Sequence, residues 1–373
     1  MGSLKLILSS LVLVFVIAGV LIGAESKTYW GDIEVLKELK NGFDPGSLNP
    51  GSCVSSWDFT IDPCDNLFGE KFTCGFRCDL VVSGISRITE LGLDQAGYAG
   101  SLSSISWNLP YLETLDLSSN FFSGAIPDSL SNLTRLRRLG LSRNLFTGEI
   151  PSSIGSLPNL EELYLDNNNL QGTMPASLNG LVSLKRLEIQ SNKLNGTLPD
   201  LGSLRNLYYL DISDNAIVGE PPATLPSSLI QISMRNNSLG GTLIPESFIN
   251  LMSLQSELIA IDLSNNELQG LLPSFMALMP KLSALSLENN KFTGMIPTQY
   301  ALKAAVPDSG ISPFARLLLG GNYLFGPIPD PLRFLKPGSA NVRLVDNCLY
   351  RCPDAFFFCQ GGDQKSLTEY LFC

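Results

Sequence analysis

Apolar and polar positions repeat along most of the chain as one phrase, L-x-x-L-x-L-x-x-N. It reads "LETLDLSSNFFSGAIPDSLSNLTR" from Leu112, "LRRLGLSRNLFTGEIPSSIGSLPN" from Leu136 and "LEELYLDNNNLQGTMPASLNGLVS" from Leu160. Weaker or interrupted copies start at Ile88, Leu184, Leu207, Leu229, Leu258, Leu282 and Phe314, ten in all. Leucines at the fourth and sixth positions, flanked by polar residues, predict a short strand whose leucines point inward. One such unit cannot bury its leucines alone. A run of them therefore predicts a solenoid over 88–338, with a parallel sheet on its concave face.

The ninth position is asparagine in nine copies: Asn120, Asn144, Asn168, Asn192, Asn215, Asn237, Asn266, Asn290 and Asn322, with Ala96 in the first. Its amide is expected to bond backbone groups of the turn that follows, forming a ladder down the array. Glycine and proline three residues apart, as in Gly124/Pro127 and Gly148/Pro151, close each coil. The asparagine spacing runs 24, 24, 24, 23, 22, 29, 24 and 32. The long intervals predict an irregular joint at 254–257, where Leu254 imitates a strand start before Leu258 resumes the sheet, and an insertion at about 300–313. The joint reads either as a loop placed between complete repeats or as the remnant of deleted ones. The insertion is a second candidate site.

The ends differ from the middle. Lys5, an apolar run over 6–22 and Gly23-Ala24 predict a signal peptide over 1–24, the alternative being a retained signal anchor. No second apolar run of that length occurs, so the mature chain is expected to lack a membrane span. Segment 25–87 forms an amino-terminal cap: "DIEVLKELKNGF" (32–43) predicts an amphipathic helix with Ile33, Leu36 and Leu39 on one face. Cys53, Cys64, Cys74 and Cys78 lie before the repeats, and Cys348, Cys352, Cys359 and Cys373 lie in a carboxy-terminal cap over 339–373. Even numbers at both ends predict disulfides and an oxidising compartment, with three connectivities open in each cap.

L-x-x-L-x-L-x-x-N-x-L-x-G-x-I-P at 24 residues, with the cap helix, Trp57 and Cys64 before it, resembles the plant extracellular leucine-rich-repeat family. The likeness is to ectodomains of receptor-like proteins and receptor kinases, and also to the polygalacturonase-inhibiting proteins. It implies an α/β solenoid: a plant-type right-handed superhelix with a parallel β-sheet on the concave face and disulfide-stapled caps. No membrane span or kinase region follows the repeats, so the chain reads either as complete or as a fragment of a membrane-anchored receptor.

Charge and composition narrow the function. A net charge of −10 argues against nucleic acid, and the absence of histidine removes histidine-based catalysis and most zinc sites. No cofactor or metal is expected, and no enzyme activity. Paired carboxylates, Asp211 with Asp166 or with Asp262, suggest a glycosidase only weakly, because an open sheet encloses no sugar.

Positions two, three, five, seven and eight of each strand face outward. Tyr164, Tyr208 and Tyr209, with Asp166, Asp211, Asp214 and Arg235 near them, are the leading ligand-binding candidates, since tyrosine is enriched in recognition surfaces. Arg137, Arg138, Arg143 and Arg186 are a secondary set: either a dock for an acidic peptide or oligogalacturonide, or charges already neutralised by Glu113, Glu161 and Glu162. Ile230, Ile259, Ala260, Ala284 and Leu318 make the carboxy-terminal part of the face look apolar. Sequons occur at Asn132, Asn195 and Asn236. The first two are expected on the convex or lateral side, whereas a glycan on Asn236 would crowd the concave face.

The expected function is a secreted recognition protein of the extracellular space or cell wall. It would bind a protein or peptide and act through a partner such as a membrane receptor-kinase ectodomain. The alternative is an inhibitor of a cell-wall hydrolase such as polygalacturonase.

Overall fold

The computed structural model describes residues 27–306 and 310–366. The expected signal peptide, Cys373 and residues 307–309 of the insertion lie outside the described residues. Each repeat contributes a three-residue strand, from Glu90–Gly92 in the first to Arg316–Leu318 in the tenth. They join one 12-stranded sheet in chain order. Its register pairs the fourth-position leucines directly, Leu91 with Leu115, Leu139, Leu163, Leu187 and Leu210 in turn. These leucines, and the apolar residues of positions one and six apart from the half-buried Leu93, are buried in a continuous core. Behind them short 3₁₀ turns such as Asp128–Asn132 and Ser152–Ser156 close several of the coils.

The asparagine ladder is the main polar element of this core. Asn144 Nδ2 donates to the carbonyls of Leu117 at 3.0 Å, Leu141 at 3.2 Å and Ser142 at 3.1 Å, while its Oδ1 accepts the Phe122 amide at 3.0 Å. The same set recurs at Asn168, Asn266 and Asn290. The bonds therefore reach back to the preceding coil as well as serving their own turn. The eighth position beside each asparagine adopts a left-handed backbone, as at Ser119 (φ +59°), Asn167 (+54°) and Asn289 (+52°). That conformation explains the short polar residues that dominate there.

The sheet also runs past residue 338. Asn341–Arg343 pairs in parallel with Arg316–Leu318, and Asn347 takes the ladder role, donating to Leu319 O and accepting from Leu324 N. This eleventh coil was hidden because Ser339 and Val342 stand where leucines would be. At the other end Phe76–Arg77 pairs antiparallel with Glu90–Gly92 and caps the open edge.

The cap helix spans Trp30–Asn41, two residues earlier than expected. It buries Val35, Leu36 and Leu39, and Ile33 is only half-buried. Disulfides join Cys53 to Cys74, Cys64 to Cys78 and Cys352 to Cys359. Trp57 is buried and donates its indole N–H to Cys74 O at 3.0 Å. A buried ion pair fastens the helix to the first coil: Arg87 bonds both oxygens of Asp32, at 2.9 and 2.7 Å, and lies between the rings of Tyr29 and Tyr111.

Both long intervals leave the strand and ladder segment untouched. Leu254 is 84% exposed in a turn, and Leu258, 1% exposed, resumes the core. The insertion expected at about 300–313 begins within the helix Thr298–Ala305, which lies in the layer behind the sheet against Ser274–Leu278 and Asp330–Arg333. The described start of this second candidate site therefore lies in the layer behind the sheet. Tyr300 is fully buried there, and Lys303, 3% exposed, donates to Met279 O at 2.7 Å over the Phe314 ring.

Two outcomes test this description. Asn144→Ala orphans a buried amide and several carbonyls, so chemical unfolding should show a loss of about 3 kcal/mol. Asn167→Gly, which suits the left-handed backbone beside the ladder, should change stability by less than about 1 kcal/mol. Burial lowers the Lys303 ammonium from 10.5 to about 8. Between those values the unfolded chain holds more protons than the folded one, so this group raises stability as pH rises. The unfolding midpoint of the native protein should therefore gain on that of Lys303→Met between about pH 7.5 and about pH 9.5.

Candidate recognition surface

In-register strands align equivalent positions into rows running along the solenoid. Row three reads Glu90, Thr114, Arg138, Glu162, Arg186, Tyr209, Gln231, Ala260, Ala284, Arg316 and Asn341. Row five reads Gly92, Asp116, Gly140, Tyr164, Glu188, Asp211, Ser233, Asp262, Ser286, Leu318 and Arg343. Neighbouring strands lie about 4.8 Å apart, so charges and rings in one row meet those on the next coil.

In the amino-terminal half the expected arginine and tyrosine sets merge. Arg138 lies over the Tyr164 ring at 4.5 Å, and Arg186 over the rings of Tyr164 at 6.0 Å and Tyr209 at 3.8 Å. Arg138 also pairs with Glu162 and Asp116, and Arg186 with Glu188. Tyr164 donates its hydroxyl to Glu162 at 3.0 Å. The result is an alternating stack of guanidinium and phenol across four coils, clamped by carboxylates. Burial raises the phenol pKa of both Tyr164 and Tyr209, so they stay neutral donors.

Row two adds Arg137 and Lys185, both paired with Glu161. Those contacts agree with neutralisation. Pairs this exposed stabilise little, and their effect is to blunt the patch. Arg143 stands apart from the stack, exposed on the left-handed eighth position. Tyr208 is half-buried on row two.

Asp166 departs from expectation. It is 7% exposed and takes hydrogen bonds from Ser142 Oγ and Asn167 Nδ2. Both of its oxygens are already bonded and little of it is exposed, so it offers a ligand little surface.

Past Tyr209 the face opens into a shallow groove of 230 Å³, lined by Asp211, Ser233, Arg235, Asp262, Ser286 and Arg316 among others. Asp211 and Arg235 thus come together as expected. Asp214 sits at the rim and pairs with Arg235 at 3.0 Å. Burial raises the Asp211 carboxyl above its ordinary value; bonds from Ser213 oppose this, and the charges of Glu188 and Asp214 add to it. Reading positions two and three made this region look apolar. Row five sets Asp211, Ser233, Asp262 and Ser286 beside the small row-three residues Ala260 and Ala284.

The sequons at Asn132, Asn195 and Asn236 are all exposed. Asn236 Nδ2 donates to Asp214 at 2.8 Å, a bond that a glycan would disturb. Among the described residues no group of acidic or cysteine side chains could hold a metal ion, and no helix is long and apolar enough to cross a membrane.

A family model described as a leucine-rich repeat region matches residues 88–304. No curated protein matches the chain. Among solved structures, one similar chain is the ectodomain of the plant membrane receptor kinase GASSHO1/SCHENGEN3 from Arabidopsis thaliana, in complex with CASPARIAN STRIP INTEGRITY FACTOR 2. It is 36% identical with a TM-score of 0.66, over 74% of this chain and 32% of that one. The plant peptide hormone receptor RGFR1, in complex with RGF2, is 26% identical with a TM-score of 0.55, over 75% of this chain and 47% of that one. A plant ice-binding protein shares the fold at 23% identity and a TM-score of 0.64, over 91% of this chain and 99% of that one. The chain spans less than half the length of the two receptors it matches. Its repeat phrase, its ladder and these matches place it in the plant extracellular leucine-rich-repeat family.

Proposed function

We propose that the chain is a secreted, non-enzymatic recognition protein that binds a protein or peptide through the face of its large sheet. It would act in extracellular signalling or defence through a partner such as a membrane receptor-kinase ectodomain. The observation that carries this reading is the arginine–tyrosine stack of Arg138, Tyr164, Arg186 and Tyr209 beside an open groove. Tyrosine and arginine are the residues on which interface energy concentrates. Clamping them in advance by Glu162 and Glu188 lowers the entropy lost when a partner docks. The bound partners of the two receptors, CASPARIAN STRIP INTEGRITY FACTOR 2 and RGF2, support the same reading by likeness.

Inhibition of a cell-wall hydrolase is the rival, and two measurements separate them. Affinity capture from cell-wall extract should recover a partner with the native protein. Recovery should fall more than about tenfold with Tyr208→Ala/Tyr209→Ala, the scale of losing one interface anchor. Polygalacturonase turnover should be unchanged by added protein. Identical recovery by both proteins contradicts the role given to these tyrosines, and a slowed hydrolase favours the rival.

A further inference from the structure

Four neighbouring strands carry Asp211, Ser233, Asp262 and Ser286 side by side at position five. The two aspartates are held alike. Oδ1 of Asp211 accepts the Ser213 amide at 3.0 Å and its hydroxyl at 2.6 Å, and Oδ1 of Asp262 accepts the same groups of Ser264 at the same distances. Ser213 and Ser264 are 3% and 5% exposed, so each carboxylate is fixed from below. The second oxygen of each has no partner among the described residues.

Ser233 stands between the two aspartates and Ser286 beyond Asp262. Ser233 and Ser286 both line the groove, and neither hydroxyl makes a hydrogen bond among the described residues. Both hydroxyl oxygens reach the open groove, so each is free to donate to or accept from a ligand lying in it. The cations facing the groove leave this row open. Arg235 is paired with Asp214, and Arg316, at the carboxy-terminal end of the groove, forms no ion pair with either aspartate among the described residues.

The spacing selects the ligand. Each carboxylate beside a hydroxyl presents acceptors to an ammonium or a guanidinium. The pair Asp211–Ser233 and the pair Asp262–Ser286 repeat two strands apart, at roughly 10 Å. A peptide in the polyproline II conformation returns to the same side every third residue, after about 9 Å. We infer that this row seats a peptide segment laid along the solenoid, with Lys or Arg at two positions three residues apart, one on each carboxylate–hydroxyl pair. The inference rests on the reading of this face as a peptide-binding surface, and it disfavours a polyanionic ligand such as a uronate chain.

The test is selection of a random peptide library displayed on phage against the immobilised full chain. Selected peptides should carry a fixed basic pair in Lys/Arg-x-x-Lys/Arg spacing. Their affinity should fall at least tenfold with Asp211→Asn/Asp262→Asn, which preserves the serine bonds and should leave the thermal midpoint unchanged. Ser233→Lys, placing an ammonium beside both carboxylates, should block binding independently. Affinity should also weaken on acidification, starting above the usual aspartate range because Asp211 is raised. Selected peptides without the basic pair, or with one basic position only, overturn the inference, as does unchanged affinity in the folded variants. Peptides lost on Tyr208→Ala/Tyr209→Ala but kept by the aspartate variant leave the recognition reading standing and refute this row. Selection of nothing above bare support contradicts both.

Discussion

The asparagine ladder is the constraint on which the rest of the molecule depends. Each side chain satisfies one backbone amide and up to three carbonyls that the stacked coils would otherwise bury unpaired, and its bonds reach from one coil to the one before. Such a bond is made only if neighbouring coils stand in register. The segment from first leucine to asparagine therefore cannot change length, whereas the return path can. The 29- and 32-residue intervals obey this rule, placing their extra residues in an exposed turn and in a helix behind the sheet. The recognition face keeps its spacing across both irregularities.

Fixed register turns sequence columns into physical rows, and the rows divide the face in two. From Asp116 to Tyr209 opposite charges and rings alternate, so each guanidinium has a carboxylate and an aromatic face within reach. Past Tyr209 rows three and five change to glutamine, alanine, serine and aspartate, and the stack gives way to a groove. The first half is rigid and self-satisfied; the second retains polar groups that the protein itself does not satisfy. Rigid anchors beside unmet hydrogen-bonding capacity are what a recognition surface needs, because the anchors lose little entropy and the open groups supply specificity.

Much of this was legible in the sequence because the leucines and asparagines act locally and repeat. Strand starts, ladder residues, the resumption at Leu258 and the pairing of Arg137 with Glu161 follow from spacing alone. What escaped depends on contacts between distant segments. Asp32 is buried against Arg87, 55 residues later in the chain, a pairing that no local pattern shows. Asp166 is drawn inward by Ser142 on the preceding coil, which no single repeat reveals. The eleventh coil kept Leu344 and Asn347 but lost its other leucines, so only the sheet register exposes it. The row of Asp211, Ser233, Asp262 and Ser286 was available in the sequence, but only by reading position five down the repeats.

Hydrogen exchange of the chain with and without a captured or selected partner tests the account most directly. The register argument predicts that new protection will concentrate on the strands from Arg186–Glu188 to Ala284–Ser286 and on the turns that follow them. The helices behind the sheet, including Thr298–Ala305, should exchange as before. Protection appearing on that helical layer, or along the flanking strands such as Lys291–Gly294 and Tyr323–Pro327, would contradict it.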